Sequence, residues 1–317
     1  MTQTLRQSGT LLGFAAIVLF LTVQLPDTFL TGRNLLNITQ QLSMLAVVAA
    51  TMTIVMVMND FDLSVGSMAS LSGIVAAMLF ASGYPVWVGL VAALAVGLLG
   101  GMFNGFLVAV LGILPFVATL GTLTVFSGTA FLISDGKTIF GRDIPAGFSG
   151  YARAGLDIGD LRIPFLTLTA LAVLIACWFI LEQTNFGRRL YAIGGNQEAA
   201  HLAGIRVKRL RLIAFSLTGL GAAGAGLMYA ARVASANPTQ GSGLMLDAIA
   251  AVFLGMTMSR HGEPRVHYTL VGVLMLGVLD NGLTQLRVDS YVREILVGLI
   301  VIGAVAMAAF SRRNRQH

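Results

Sequence analysis

Apolar residues along this chain come in long unbroken runs, and the polar residues form short clusters between them. Ten runs are apolar enough to cross a bilayer: 9–25, 42–58, 63–82, 85–110, 115–133, 163–181, 212–230, 245–258, 269–286 and 292–310. A hydrocarbon core of about 30 Å takes about 20 helical residues, so these spans consume most of the 317 residues. The runs are continuous, which excludes a transmembrane β-barrel, whose strands alternate apolar and polar positions. The pattern predicts an all-α, polytopic integral membrane protein of about ten transmembrane helices, with one transmembrane domain over 1–317. Pro26, Pro85, Pro115 and Pro164 are placed at helix starts, where a missing N–H costs least. The first run is followed by Gln24-Leu25-Pro26-Asp27 rather than a small-x-small cleavage site, so it reads as a retained helix and not a signal peptide.

Two breaks between runs are long. The loop 134–162 balances Lys137, Arg142, Arg153 and Arg162 against Asp135, Asp143, Asp157 and Asp160. The loop 182–211 sets Arg188, Arg189, Arg206, Lys208, Arg209 and Arg211 against Glu182 and Glu198 alone. Basic loops stay on the cytoplasmic side, so 182–211 is expected inside. Counting spans in both directions places 134–162 outside and both termini inside, the side that Arg6, Arg312, Arg313 and Arg315 also favour. The expected location is a bacterial cytoplasmic (inner) membrane, crossed many times.

Composition agrees and narrows the chemistry. The chain is 56% hydrophobic and 11% charged, with mean hydropathy +0.83, against about 45–50% apolar and about 25% charged in soluble domains. Its net charge of +6 is explained by inside loops rather than by a nucleic-acid partner. The lone Cys177 allows no intrachain disulfide and no thiolate cluster. His201, His261, His267 and His317 show no metal-ligand spacing. Gly136-Lys137-Thr138 lacks the upstream glycine and the strand of a phosphate-binding loop. No metal, cofactor or catalytic triad is expected on this chain.

A faint internal repeat links GLLGGMFNGFLV (97–108) to LMLGVLDNGLTQ (274–285), each with Gly followed by Asn-Gly at Asn104-Gly105 and Asn281-Gly282. These segments belong to the fourth and ninth spans. Two five-span halves must run in opposite directions, because five is odd. The expectation is an inverted repeat of two five-helix halves, roughly 1–133 and 163–310, the plan of many transporters. Within spans, Gly97, Gly101 and Gly105 recur every four residues, and Gly219, Gly221, Ala223 and Ala225 form small-xxx-small pairs. Such stripes let helices approach closely in lipid; a flexible gate is the other reading.

Three places carry polar chemistry. Asp60 and Asp62, after Asn59, stand between the second and third spans, where a charge facing lipid is costly. Asp62 can cap the third helix, or the pair can serve a gate or pathway, or a magnesium site of a membrane prenyltransferase. The last needs a second acidic cluster, and Asp280 has no carboxylate near it in sequence. Asp280 and Asn281 lie well inside the ninth run, either bonded to a neighbouring helix or lining a polar path. In the loop 182–211, Asn196 can cap a short helix through Glu198, Ala199 and Ala200, which Gly204 then stops. A short basic-flanked helix projecting inward suits docking into another protein's groove, or it can lie on lipid headgroups.

Several segments together resemble a known family: DFDLSVGS (60–67), NGF (104–106), PFVATLGTL (115–123), FGRRLYAIGGNQEAAHLAGI (186–205) and LDNGL through SYVREILVGLIVI (279–302). The chain is similar to the ribose/arabinose-type (carbohydrate uptake) permeases of ATP-binding-cassette importers, over nearly its whole length. It departs from them at 255–263, Gly255-Met256-Thr257-Met258-Ser259-Arg260-His261-Gly262-Glu263, where that family carries a Gly- and Ser-rich turn. The resemblance implies two permease chains, alike or different, ATPase subunits that hold ATP and Mg, and an extracytoplasmic solute-binding protein. It makes Asn196, Glu198, Ala199, Ala200 and Gly204 the ATPase-coupling loop, while the polar residues Asp60, Asp62, Asn104, Asp280 and Asn281 stand, on their own placement, as the pathway or gate candidates. The implied solute is a monosaccharide, pentose-like, or a related small polyol. Alternatives are another small polar solute (a sugar-derived signal or a branched-chain amino acid), the prenyltransferase-like enzyme, and an ion-coupled carrier using Asp280.

Overall fold

The computed structural model of the chain describes residues 2–159, 161–259, 261–292, 294–296, 298–299 and 302–303, with side chains from Thr10 onward. Five helices come first: α1 (Thr2–Gln24), α2 (Gly32–Met56), α3 (Val65–Ala81), α4 (Val86–Ala109) and α5 (Pro115–Ser134). The short α6 (Ala146–Arg153) precedes α7 (Phe165–Trp178), which continues as a π-helical turn, Phe179–Gln183. Then come α8 (Asn185–Gly195), α9 (Gln197–Leu202), α10 (Val207–Val233), α11 (Leu244–Met258) and α12 (Val266–Gln285). Six of these, counting α7 with its π turn, are long and apolar enough to cross a membrane: α2, α4, α5, α7, α10 and α12. The apolar part of α1, with α3 and α11, is shorter. The tenth predicted span, 292–310, falls mostly outside the described residues, as do Arg312, Arg313, Arg315 and the Arg6 side chain.

Two expectations are corrected. The second helix begins at Gly32, well before residue 42, because Thr31 accepts the Asn34 N–H at 3.2 Å and starts it there. The polar stretch that hid this start spends its side chains on other elements: Thr39 bonds Thr167, and Gln40 donates to the Ala152 carbonyl at 2.7 Å. Pro26 does not open a helix; it sits in the turn after α1. Pro85 and Pro164 are the N-cap residues of α4 and α7, and Pro115 is the first residue of α5.

Helix α10 is the hub on which α2, α3 and α4 pack, while α2 in turn carries α7, α11 and α12. Contact between α4 and α10 is backbone to backbone. A Cβ on Gly97 would lie 2.5 Å from the Gly219 carbonyl oxygen, one on Gly105 would lie 2.8 Å from the Leu212 Cα, and one on Gly101 would collide with the Phe215 carbonyl. The glycine stripe therefore packs helices, as its spacing predicts.

Both short helices α3 and α11 follow largely irregular segments: 57–64, mostly buried, and 235–243, a mixture of buried and exposed residues. Non-helical backbone between transmembrane helices is tolerated where protein surrounds it. The two helix starts meet: a Cβ on Gly66 would lie 2.6 Å from the Gly241 carbonyl oxygen, and one on Gly241 would collide with the Gly66 carbonyl. Ser70 Oγ accepts the Gly241 N–H at 2.8 Å.

The two ends of the bundle differ. At one end, the 134–164 segment folds on itself: strand β1 (Ile139–Phe140), then a hairpin of β2 (Gly155–Ile158) and β3 (Leu161–Pro164). Strand β1 pairs antiparallel with β4 (Ser235–Ala236), and Phe148 of α6 packs on Phe80 with ring centroids 5.0 Å apart. The other end carries α8 and α9.

Candidate functional site

The predicted helix at 196–204 exists and is capped as its sequence requires. Asn196 Oδ1 accepts the Ala199 N–H at 2.9 Å, and Gly204 ends the turn in the left-handed region at φ +80°. Asn196, Glu198, Ala199 and Gly204 are exposed, while Ala200 is buried against the body. Leu202, one helical turn after Glu198, is 81% exposed. A bare leucine thus lies beside a carboxylate on the exposed side of this capped helix. The residue i+4 from Glu198 was the sequence clue to it.

Upstream, the chain enters α8 through a backbone crossing that admits no side chain. Thr184 Oγ1 accepts the Gly187 N–H at 3.3 Å, and a Cβ on Gly187 would collide with the Leu181 carbonyl. At the far end of α8, Gly194 lies against α2's last turn, where a Cβ would collide with the Val57 carbonyl oxygen. Asn59, left-handed at φ 62°, donates from Nδ2 to the Gly194 carbonyl at 2.6 Å. The α8–α9 segment is thus fixed to the break that leads into α3.

Asp60 is clamped by Arg211 of α10, whose Nε and Nη2 donate at 2.6 and 2.9 Å, with the carboxylate side chain 4% exposed. Asp62 does not cap α3: the N-cap residue is Ser64, and Asp62 Oδ1 accepts the Ser64 N–H at 2.9 Å and its hydroxyl at 2.6 Å. Asn104 Nδ2 donates to Ser64 Oγ at 2.8 Å and reaches the Asp62 carboxylate at 3.3 and 3.4 Å. Burial holds the Asp62 carboxyl above the ordinary carboxylate range, because Ser64 and Asn104 offset only part of the lost hydration. The Asn104 Oδ1 is buried without a hydrogen-bond partner.

Asp280 and Asn281 lie elsewhere, against the start of α2. Gln41 Nε2 donates to Asp280 Oδ2 at 2.6 Å, and Asn34 and Asn281 exchange amide bonds at 3.0 and 3.2 Å. Gln285 Nε2 adds a bond to Asn281 at 2.7 Å. The five pathway candidates therefore form two groups rather than one site. Sequence reasoning missed their partners Arg211, Asn34 and Gln41, which no local spacing links to them. A cavity of about 630 Å³ between α2, α4, α6, α7 and α10 is lined by Val47, Leu90, Leu94, Val173 and Leu217 among others, and by none of the five. Among the described residues, no group of three or more His, Cys, Asp or Glu could hold a metal ion.

Residues 34–305 match the family model described as branched-chain amino acid transport system / permease component. The chain is 37% identical over 303 residues to the ribose import permease protein of Bacillus subtilis, covering 96% of this chain and 92% of that one. It is 33% identical over 310 residues to the L-arabinose transport system permease protein of Escherichia coli, covering 98% and 92%. The D-allose transport system permease protein of the same organism is 33% identical over 300 residues, covering 94% and 90%. No solved structure gives a significant match.

Proposed function

The chain belongs to the branched-chain amino acid transport system / permease component family, and from that membership we propose that it is the membrane-spanning subunit of an ATP-binding-cassette importer for a monosaccharide. The relatives are named for ribose, L-arabinose and D-allose, which favours a pentose-like sugar or related polyol over an amino acid. The single observation that carries the coupling role is the capped helix α9, presenting Glu198 and Leu202 outward while Asn59 ties Gly194, at the end of the preceding α8, to the break before α3. ATPase subunits dock on α9, a solute-binding protein delivers the sugar at the opposite end, and a second permease chain completes the path. The α8–α9 end is cytoplasmic, where its six Arg and Lys residues between 188 and 211 belong. Both termini lie on that side.

The packing of α3 and α4 on α10, answered by that of α11 and α12 on α2, supports an inverted repeat. Closure of the ATPase pair displaces α9, the break at 57–64 moves with it, and the two halves rock about the Gly66–Gly241 contact. Sugar acts on this cycle only through its different affinity for the two states. The test is ATP-driven uptake of labelled ribose, arabinose and allose by vesicles holding this chain with the ATPase and binding protein that co-purify with it. Glu198→Lys and Gly204→Pro are expected to abolish uptake while the chain still inserts. Uptake that follows a proton gradient and ignores ATP overturns the reading, as does full activity in both variants.

A further inference from the structure

The start of α12 is bound to the α8–α9 segment and to the end of the α7 span. Arg265, the N-cap residue of α12, donates from Nη1 to Glu182 Oε2 at 3.1 Å, and its Nη2 lies 3.8 Å from Glu263. Glu182 belongs to the π-helical turn that ends the α7 span, and its side chain is 15% exposed. The Tyr191 hydroxyl of α8 reaches Glu182 Oε1 at 3.3 Å and the Pro264 carbonyl at 3.0 Å. The Arg265 guanidinium sits over the Tyr191 ring, 5.7 Å from its centroid, a distance at which ring and cation attract. Three separate segments converge on one ion pair.

We propose that Glu182, Tyr191 and Arg265 form a strut that carries displacement of the α8–α9 segment into α12, making them positioning residues for transport. Besides its packing on α10 and on the turn that ends α7, the α8–α9 segment is held to the helices by two sets of contacts. Gly194 and Asn59 join it to the break before α3, and this strut joins it to the start of α12. Helix α12 spans 20 residues and ends beside α2, where Asn281 and Asp280 meet Asn34 and Gln41. A push on Arg265 therefore reaches the opposite end of the bundle along one helix. The pair is suited to a moving joint: Arg265 is 36% exposed, so water can take over its bonds when the contact loosens. A fully buried pair would lock instead.

This inference rests on the coupling role proposed for α9, and its test separates the two. The assembled transporter is purified with its ATPase, and sugar uptake and ATP hydrolysis are measured together. Arg265→Met and Glu182→Gln are expected to keep the ATPase bound and hydrolysing at its basal rate, while uptake per ATP falls about tenfold or more. Arg265→Lys, which keeps the charge but not the planar stack, is expected to lose about threefold, and Tyr191→Phe about twofold. The exchanged pair Glu182→Arg with Arg265→Glu is expected to recover most of the coupling. Uptake per ATP unchanged in the single variants overturns the strut, as does an exchanged pair no better than either single one. Loss of the bound ATPase in Arg265→Met also overturns it, by assigning the residue to the docking surface. If the unaltered chain retains no ATPase, the coupling role itself fails.

Discussion

The break before α3 reaches the protein interior through charge, and the break before α11 reaches it through neutral groups. At 57–64, Asp60 is held by a guanidinium and Asp62 by a serine and an asparagine. At 235–243, Asn237 Oδ1 accepts from the Thr239 N–H and hydroxyl at 3.0 Å each, the Asn237 N–H donates to Gln240 Oε1 at 3.2 Å, and Ser70 receives Gly241. The first break is tied to α10, α4 and the α8–α9 segment; the second satisfies itself mostly within four residues. Both deliver a helix start to the same backbone contact, Gly66 against Gly241. One break is thus cross-linked to several helices, while the other is held together mainly within itself.

The sharpest way to break that comparison is to strand a charge. Arg211→Met leaves the Asp60 carboxyl, 3% exposed, without its counter-ion, a change that costs roughly 3–5 kcal/mol when a buried pair loses one member. The expected result is a steep fall in melting temperature and in recovered protein. The double variant Asp60→Asn with Arg211→Met is expected to regain most of it, because no unpaired charge remains. A single variant that melts with the parent would show that the first break is held by something other than this pair.

The shared contact comes next. Gly66→Ala puts a methyl group 2.6 Å from the Gly241 carbonyl oxygen and 3.6 Å from the Met245 Cβ, and the nearer neighbour is backbone that cannot rotate away. Overpacking of this kind costs about 1–3 kcal/mol, with uptake lost as the two halves are wedged apart. Gly224→Ala on α10 is the matched control, since a Cβ there meets nothing within 4 Å. It should be neutral or slightly stabilising, as a helical Gly→Ala is worth about 0.5–1 kcal/mol. Equal losses in both would mean that glycine matters for helix flexibility and not for the contact.

How much of this was legible beforehand follows from which interactions are local. The helices and the cap at Asn196 depend on residues within a turn of one another, and the chain displays them. The short eighth span at 245–258 also showed, as α11. The start of α2 did not, because Asn34, Gln40 and Gln41 look like loop until their partners in α12 and α6 are known. The same holds for the acids. Asp60 and Arg211 are 151 residues apart and Gln41 and Asp280 are 239 apart, so nothing near either acid announces what neutralises or orients it. The 134–162 loop concealed α6 and a hairpin because both are too short to show a period.

A pH titration sharpens the charged side of the comparison. Burial raises the Asp62 carboxyl above its ordinary 3.8, with Ser64 and Asn104 only partly opposing it. For a raised group, the stability it contributes is complete below the unfolded value and is lost as pH rises through the folded one. Near neutral pH the Asp62 carboxyl is then a net cost to the fold, relative to acid. Asp62→Asn is expected to melt a few degrees above the parent near neutral pH, with the gap closing as the medium is acidified. A variant less stable at neutral pH and equal in acid would reverse the sign and make the carboxylate an anchor.

The smallest effect belongs to the neutral break. Asn237→Ala removes an acceptor from Thr239, whose own residue is exposed, so water can replace both bonds. A net hydrogen bond is worth about 0.5–1.5 kcal/mol, and solvent access places this one at the lower end. The melting temperature should shift little and uptake per ATP should hold. The Asn237 N–H keeps its own acceptor in Gln240, and the Gly241 N–H keeps Ser70, so the approach of Gly241 to Gly66 survives. If Asn237→Ala instead matches Arg211→Met in damage, the break before α11 is as rigid as the break before α3. Force would then pass through both breaks, and the functional asymmetry between the two halves would disappear.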